Sequence, residues 1–334
     1  MGVSRLLVVI MVGVATLLAG CSAGAAAPPA SVPAPQRLGP TAEPGDEVCG
    51  ETRPATGPTT IEHAMGSTVV PEDPQRIIVL DSDKLDTVCA LGLQDRLVGT
   101  ISLDSGQPGY LGPTIKNVPS VGKIAEPDLE KIASLQPDLI LGSKFRQPDL
   151  YDRLSQIAPT VYTELVGLTW QENFLLDASA LRRADQGQEL LQQLKDDAAA
   201  AGSEFDGANA DASIVRFRPG GIRLYGPTSF SGSVLELAGV SRPEFQQLNG
   251  AKDRRFVEIS AEELPKADGK IIYVTAYGPE AVVQQDRMLA DPIWQTLGGV
   301  KSGRVFLVSD EVWMTGIGVI AADGILRDLR ASLG

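Results

Sequence analysis

Histidine is nearly missing from this chain: His63 is the only one in 334 residues. Cysteine is scarce as well, with Cys21, Cys49 and Cys89 forming the whole set. Zinc and unchelated iron take clustered His, Cys and carboxylate ligands. No such cluster is visible, so a metal handled by this protein should arrive already chelated. The same shortage removes any His-based triad. With no nucleophile elbow and no Walker A loop, the chain does not read as an enzyme. Thr228-Ser229-Phe230-Ser231-Gly232 reads as a loop entering a helix, and His63 as a surface residue of an edge segment.

Basic blocks are absent too. The 29 Lys+Arg are outnumbered by 42 Asp+Glu, so nucleic acid is not an expected partner. The acidic excess serves solubility, which makes any local group of cations notable. Beyond the N-terminus, no apolar run reaches the roughly 18 residues of a membrane span, so the mature body reads as soluble.

The N-terminus itself has a targeting pattern. Arg5 precedes the apolar stretch Leu6 to Leu18, and Leu17-Leu18-Ala19-Gly20-Cys21 follows. Small residues before a cysteine fit a lipoprotein signal over 1–20, cleaved before Cys21. That cysteine would then carry acyl chains such as palmitate and hold the protein on the outer face of the cytoplasmic membrane. Residues 21–58, rich in Ala, Pro, Gly and Ser, cannot bury enough apolar surface to offset ordering and read as a flexible tether. Cys49 and Cys89 then remain. In an exported chain they suggest a disulfide, which would stabilise by about 4 kcal/mol in the chain-entropy model. Cys89 lies in a predicted helix, so plain buried packing is the other reading.

About 275 residues are left, enough for two domains. Val118 to Lys144 is the most informative stretch and reads as one βαβ unit. A strand ends at Gly122, a helix opens with Pro127 at its first position, Pro137 stops it, and Asp138-Leu139-Ile140-Leu141 is an apolar strand. Arg76 to Leu80 is another buried strand, followed by a helix capped by Asp81-Ser82-Asp83 and ended by Gly92. Alternating elements of this kind imply parallel sheets covered on both faces. The expected lobes are 59–168 and 206–334, joined by a long helical connector over 169–205. Thr169-Trp170-Gln171-Glu172 supplies a capping-box pattern at the connector's start, and Gly202 its end. In the second lobe, strands are expected at 213–218, 222–225, 270–275 and 304–308, with Ser260 capping a helix, a further helix near 291–297 and a terminal helix from about Gly316.

Open α/β sheets bind ligands beyond the C-terminal ends of their strands. Lys123 and Lys144 occupy such positions. In Ile214-Val215-Arg216-Phe217-Arg218 the period of two puts Arg216 and Arg218 on one face. Cations there are costly unless they reach an opening. Four converging cations suggest a bulky anionic guest. Tyr110, Trp170, Tyr225, Tyr277 and Trp313 sit at strand or connector ends, where flat faces suit a cleft rim. Phe145-Arg146 adjoins the same site.

Several segments, taken in order, carry a family resemblance: Pro74-Gln75-Arg76-Ile77-Ile78-Val79-Leu80, Val121-Gly122-Lys123 with Glu126-Pro127-Asp128-Leu129-Glu130, Gln136-Pro137-Asp138-Leu139-Ile140, Glu258-Ile259-Ser260-Ala261-Glu262, and Asp291-Pro292-Ile293-Trp294 leading to Gly303-Arg304-Val305. Over about 60–334 the chain resembles the bacterial solute-binding proteins for ferric siderophores, haem and cobalamin that serve ABC importers. The resemblance implies two rigid Rossmann-like lobes with parallel-sheet cores, one connecting helix and the guest between the lobes. Members that bind ferric catecholates place Lys or Arg where this chain has Lys123, Lys144, Arg216 and Arg218. The family docks onto its permease through one acidic residue per lobe, here Glu130 and Glu262. It implies a monomer without a resident cofactor. The favoured guest is therefore an anionic ferric siderophore. Haem is the alternative, with Tyr110, Tyr225 or Met314 near iron; an envelope scaffold that has lost transport is another. Cobalamin fits less well, because it lacks the negative charge.

Overall fold

The first strand lies inside the expected tether. In the computed structural model, which describes residues 32–38, 48–103 and 106–334, β1 (Gln36–Arg37) runs parallel to a strand near the C-terminus, with Gln36 opposite Phe306. Cys49 is disulfide-bonded to Cys89, and the Gly50 N–H donates to the Cys89 carbonyl at 2.9 Å. The stretch read as tether is thus fastened at two points. A sequence poor in apolar residues gains its order here from strand pairing and a covalent bond. The signal and Cys21 fall outside the described residues.

The hairpin β2 (Thr60–His63) and β3 (Gly66–Val69) precedes the N-terminal lobe. Its strands are β4 (Ile77–Val79), β5 (Leu97–Ser102), β6 (Ser120–Lys123), β7 (Glu126–Pro127), β8 (Leu139–Ser143) and β9 (Thr160–Thr163), in the order β7-β6-β5-β4-β8-β9. Pairing is parallel except at β7. The fully buried Ile77, Ile78 and Val79 explain the unbroken apolar run: helices cover both faces. These include α1 (Ser82–Ala90), α2 (Gly112–Lys116), α3 (Leu129–Ser134) and α4 (Tyr151–Ser155). Pro127 is not the first residue of a helix, as its type suggested. It pairs with Gly122 in β7, and Asp128 caps α3 by accepting from the Lys131 N–H at 3.0 Å.

The connector is two helices, α5 (Trp170–Ala180) and the 21-residue α6 (Ala184–Glu204). They are broken where Arg182 takes φ 59°. Thr169 makes no capping bond; its hydroxyl reaches Asn173 Oδ1 at 3.2 Å. Gly202 does not end the connector. It lies within α6, where a Cβ would come 2.3 Å from the Ala238 carbonyl oxygen, so its role is close packing.

The C-terminal lobe contains β10 (Ala212–Arg218), β11 (Gly221–Tyr225), α7 (Phe230–Leu237), β12 (Phe256–Ile259), β13 (Ile271–Ala276), α8 (Gly278–Leu289), α9 (Gly298–Lys301), β14 (Val305–Leu307) and α10 (Val319–Leu333). Its sheet order is β1-β14-β13-β10-β11-β12. β12 and α8 were not expected. The helix expected near 291–297 is a short 3₁₀ turn, Trp294–Thr296, before α9. Ser260 does cap a helical segment through a capping box with Glu263, but Pro265 leaves that segment 3₁₀. The largest apolar cluster includes Leu85, Phe174, Leu194, Trp313 and Ile325, so it runs through both lobes and the connector. Among the described residues no helix is long and apolar enough to cross a membrane.

Candidate ligand-binding cleft

Each lobe presents an arginine held by an aspartate at the C-terminal edge of its sheet. In the N-terminal lobe, β4 leads into Asp81, which is fully buried and whose side chain accepts from the Ser82 N–H at 2.8 Å. The turn after β8 brings Arg146 to it, with Nε donating to Asp81 Oδ2 at 2.8 Å. Burial would pull the Arg146 guanidinium down, but Asp81, with smaller help from Asp83 and Tyr277, holds it above its ordinary value.

In the C-terminal lobe, Arg216 donates from Nε and Nη2 to the two oxygens of Asp310, both at 2.7 Å, and from Nη1 to the Tyr225 hydroxyl at 3.1 Å. Its guanidinium carbon stands 5.1 Å from the centre of the Tyr277 ring. Thr275 Oγ1 also donates to Asp310, at 3.1 Å. Arg216 is thereby held against the Tyr277 ring.

The other expected cations are placed differently. Lys144 is half-exposed and paired with Glu164 at 3.0 Å. Lys123 is exposed at the end of β6, three strand spacings from β8, or roughly 14 Å. Arg218 ends β10, partly exposed, and its side chain makes no hydrogen bond or ion pair among the described residues.

Four of the five aromatic residues expected on the rim, Tyr225 among them, are buried core residues instead. Trp313 is fully buried; its Nε1–H donates to Asp328 Oδ2 at 2.7 Å, and its ring packs on Tyr273. Trp170 is buried, edge-on to Phe230, and donates to Ser233 Oγ at 2.9 Å. Tyr110 is buried and donates to Asp86 Oδ2 at 2.9 Å, which takes it away from the haem reading. Position at a strand end did not distinguish these, because an indole or phenol with a buried acceptor is as stable inside as on a rim. Tyr225 lies with Phe256 and Met314 on a small cavity of about 120 Å³.

Sequence reasoning missed the run Lys252-Asp253-Arg254-Arg255. With Thr228, it faces Phe145, Leu165 and Leu168 of the N-terminal-lobe side across a cavity of about 440 Å³. Three cations within four residues of an acidic chain were the available signal. Asp310 was also missed, although it follows a strand end. Beneath the cleft lies a further unforeseen group: Lys84 Nζ contacts Asp83 at 3.0 Å and Asp177 at 2.8 Å, tying α1 to α5. Among the described residues no group of three or more His, Cys, Asp or Glu could hold a metal ion. Glu130 and Glu262 are both exposed near helix starts.

Comparison with known proteins gives a consistent picture. Residues 77–312 match the family described as periplasmic binding protein. The probable siderophore-binding lipoprotein YfiY of Bacillus subtilis is 35% identical over 282 residues, 81% of this chain and 86% of that protein. The Fe(3+) dicitrate-binding periplasmic protein FecB of Escherichia coli is 28% identical over 80% of this chain and 88% of its own. Among solved structures, Staphylococcus aureus SirA complexed with staphyloferrin B superposes with a TM-score of 0.71 at 27% identity, covering 83% of this chain and 99% of that one.

Proposed function

The chain belongs to the periplasmic binding protein family, and from that premise we propose that it captures an anionic ferric siderophore between its lobes and delivers it to an ABC permease. It is the siderophore-binding component of an ABC iron-uptake system and not an enzyme. The observation that carries the finer reading is the pair of aspartate-held arginines at the C-terminal edges of the two sheets, Arg146 in one lobe and Arg216, over the Tyr277 ring, in the other. A guest seated there meets guanidinium groups whose orientation is already fixed, so little side-chain entropy is lost on binding. Arg218 and the arginines of the 252–255 run add positive charge to the same region.

A catecholate fits this arrangement best. Its ferric complex carries three negative charges, and its flat rings suit the faces of Tyr277 and the arginines. Cys21 is the lipid attachment point in this reading and holds the protein outside the cytoplasmic membrane. Glu130 and Glu262 meet cations of the permease, and the protein acts as a monomer. Haem is not carried forward: the ligands named for the relatives and for the SirA complex are siderophores and iron citrate, and Tyr110 is committed to Asp86. Titration calorimetry with a ferric tris-catecholate, ferric citrate and hemin tests the reading. Micromolar or tighter binding of the catecholate is expected; heat from hemin alone would overturn it.

A further inference from the structure

An anionic guest does not explain why large apolar side chains stand in water inside a charged cleft. Phe145 is 53% exposed and Leu168 46%. Phe145 follows the end of β8, and Leu168 lies on the loop after β9. With Leu165 they form one wall of the 440 Å³ cavity. The rest of the lining, Thr228, Lys252, Asp253, Arg254 and Arg255, contains no apolar side chain to partner these three. Its arginines are held in place: Arg254 donates to the Gln247 carbonyl at 3.1 Å, and Arg255 pairs with Asp253 at 2.7 Å. The apolar wall also adjoins the cationic site, since the Arg146 guanidinium lies 5.5 Å from the Phe145 ring centre. A contiguous apolar surface left in water beside fixed cations suits a guest with the same division, part anionic and part apolar.

We propose that this cavity receives an alkyl arm of the guest, so that the protein selects amphiphilic ferric chelates. The anionic head meets the arginines, and the arm lies along Phe145, Leu165 and Leu168. The inference rests on the ferric-siderophore reading above and adds the class of siderophore.

The test uses a ferric tripodal tris-catecholate in two forms, with a methyl or an octyl substituent on its backbone, titrated calorimetrically into the full protein. The octyl form is expected to bind at least tenfold more tightly than the methyl form. In Phe145→Ser/Leu168→Ser the two forms should bind within about twofold of each other. Both side chains are already half in water, so this variant should keep its fold. Phe145→Leu/Leu168→Met, which keeps the wall apolar, should retain the preference. Equal affinities in the wild type, or a preference that survives the double serine variant, would overturn the arm. If even the methyl form fails to bind the wild type, the anionic-siderophore reading fails and the arm with it.

Discussion

Arg216 on β10 grips Asp310, which follows β14, through two contacts of 2.7 Å that reach past the intervening strand β13. The arginine is thereby aimed rather than free. Its charge is partly offset, yet its face stays directed at Tyr277. Asp310→Ala should leave a largely buried guanidinium without its anion. Loss of about 3 kcal/mol in urea unfolding is expected, together with at least tenfold weaker chelate binding. Arg216→Ala should weaken binding by at least as much. Arg216→Lys keeps the charge but not the fork, and should also bind less tightly. Unchanged unfolding midpoints for all three would show that the pair does not orient the site.

Arg218 presents the contrasting case. Without a partner among the described residues, Arg218→Ala should shift stability by no more than about 0.5 kcal/mol. Ferric-chelate affinity should nevertheless fall tenfold or more, and the remaining binding should depend less steeply on salt. A variant that binds like the wild type at every ionic strength would remove Arg218 from the site.

Asp86 fastens the two lobes at their base. It accepts from the Ile320 and Ala321 N–H groups, both at 3.0 Å, and from Tyr110. A Cβ on Gly318 would come 2.2 Å from its carboxyl group. Burial pushes Asp86 up to about 6 from an ordinary 3.8, against the pull of these donors. A raised folded-state value means that the folded protein holds the proton more tightly. The contribution is therefore fully present below about pH 4 and is lost as pH rises through about 6. Asp86→Asn can still accept the Ile320 N–H at Oδ1, while its amide nitrogen takes the place of Oδ2, where it can donate to Tyr110 but no longer accepts the Ala321 N–H. It should remove up to about 3 kcal/mol of the stability change between pH 4 and 7. Gly318→Ala should destabilise at every pH. An unaltered stability–pH slope in Asp86→Asn would refute the assignment.

The Cys49–Cys89 bond closes a separation of 40 residues and holds the N-terminal segment on α1. Cys49→Ser/Cys89→Ser should lower stability by about 4 kcal/mol, and with it the thermal midpoint by several degrees. Reductant should reproduce the shift in the wild type and leave the double variant unmoved. A midpoint insensitive to both would show that the bond adds nothing to stability.

Much of the fold could be read from local pattern. The unbroken apolar runs at 77–80 and 139–141 became covered parallel strands, because only a strand buried on both faces needs no polar side. The site was less legible. Arg216 was found by alternation along β10, but its anion lies 94 residues away, and no local signal joins them. Trp170, Trp313 and Tyr110 looked like rim residues until the acceptors Ser233, Asp328 and Asp86 appeared beside them. Arg254 and Arg255 lie in a loop, without the periodicity that marks strands and helices, so no local pattern singles them out.

The sequence alone determined the two-lobed α/β plan, the acidic body with few metal-ligating side chains, and the candidate cations at strand ends. These follow from side-chain periodicity and composition, which act within a few residues. Tertiary structure decided which cations are held by acids, which aromatic rings are sealed in the core, and that Phe145, Leu165 and Leu168 face Lys252, Arg254 and Arg255 across one opening. Those outcomes depend on groups far apart in the chain, whose burial and electrostatic partners exist only once both lobes have packed on the connector.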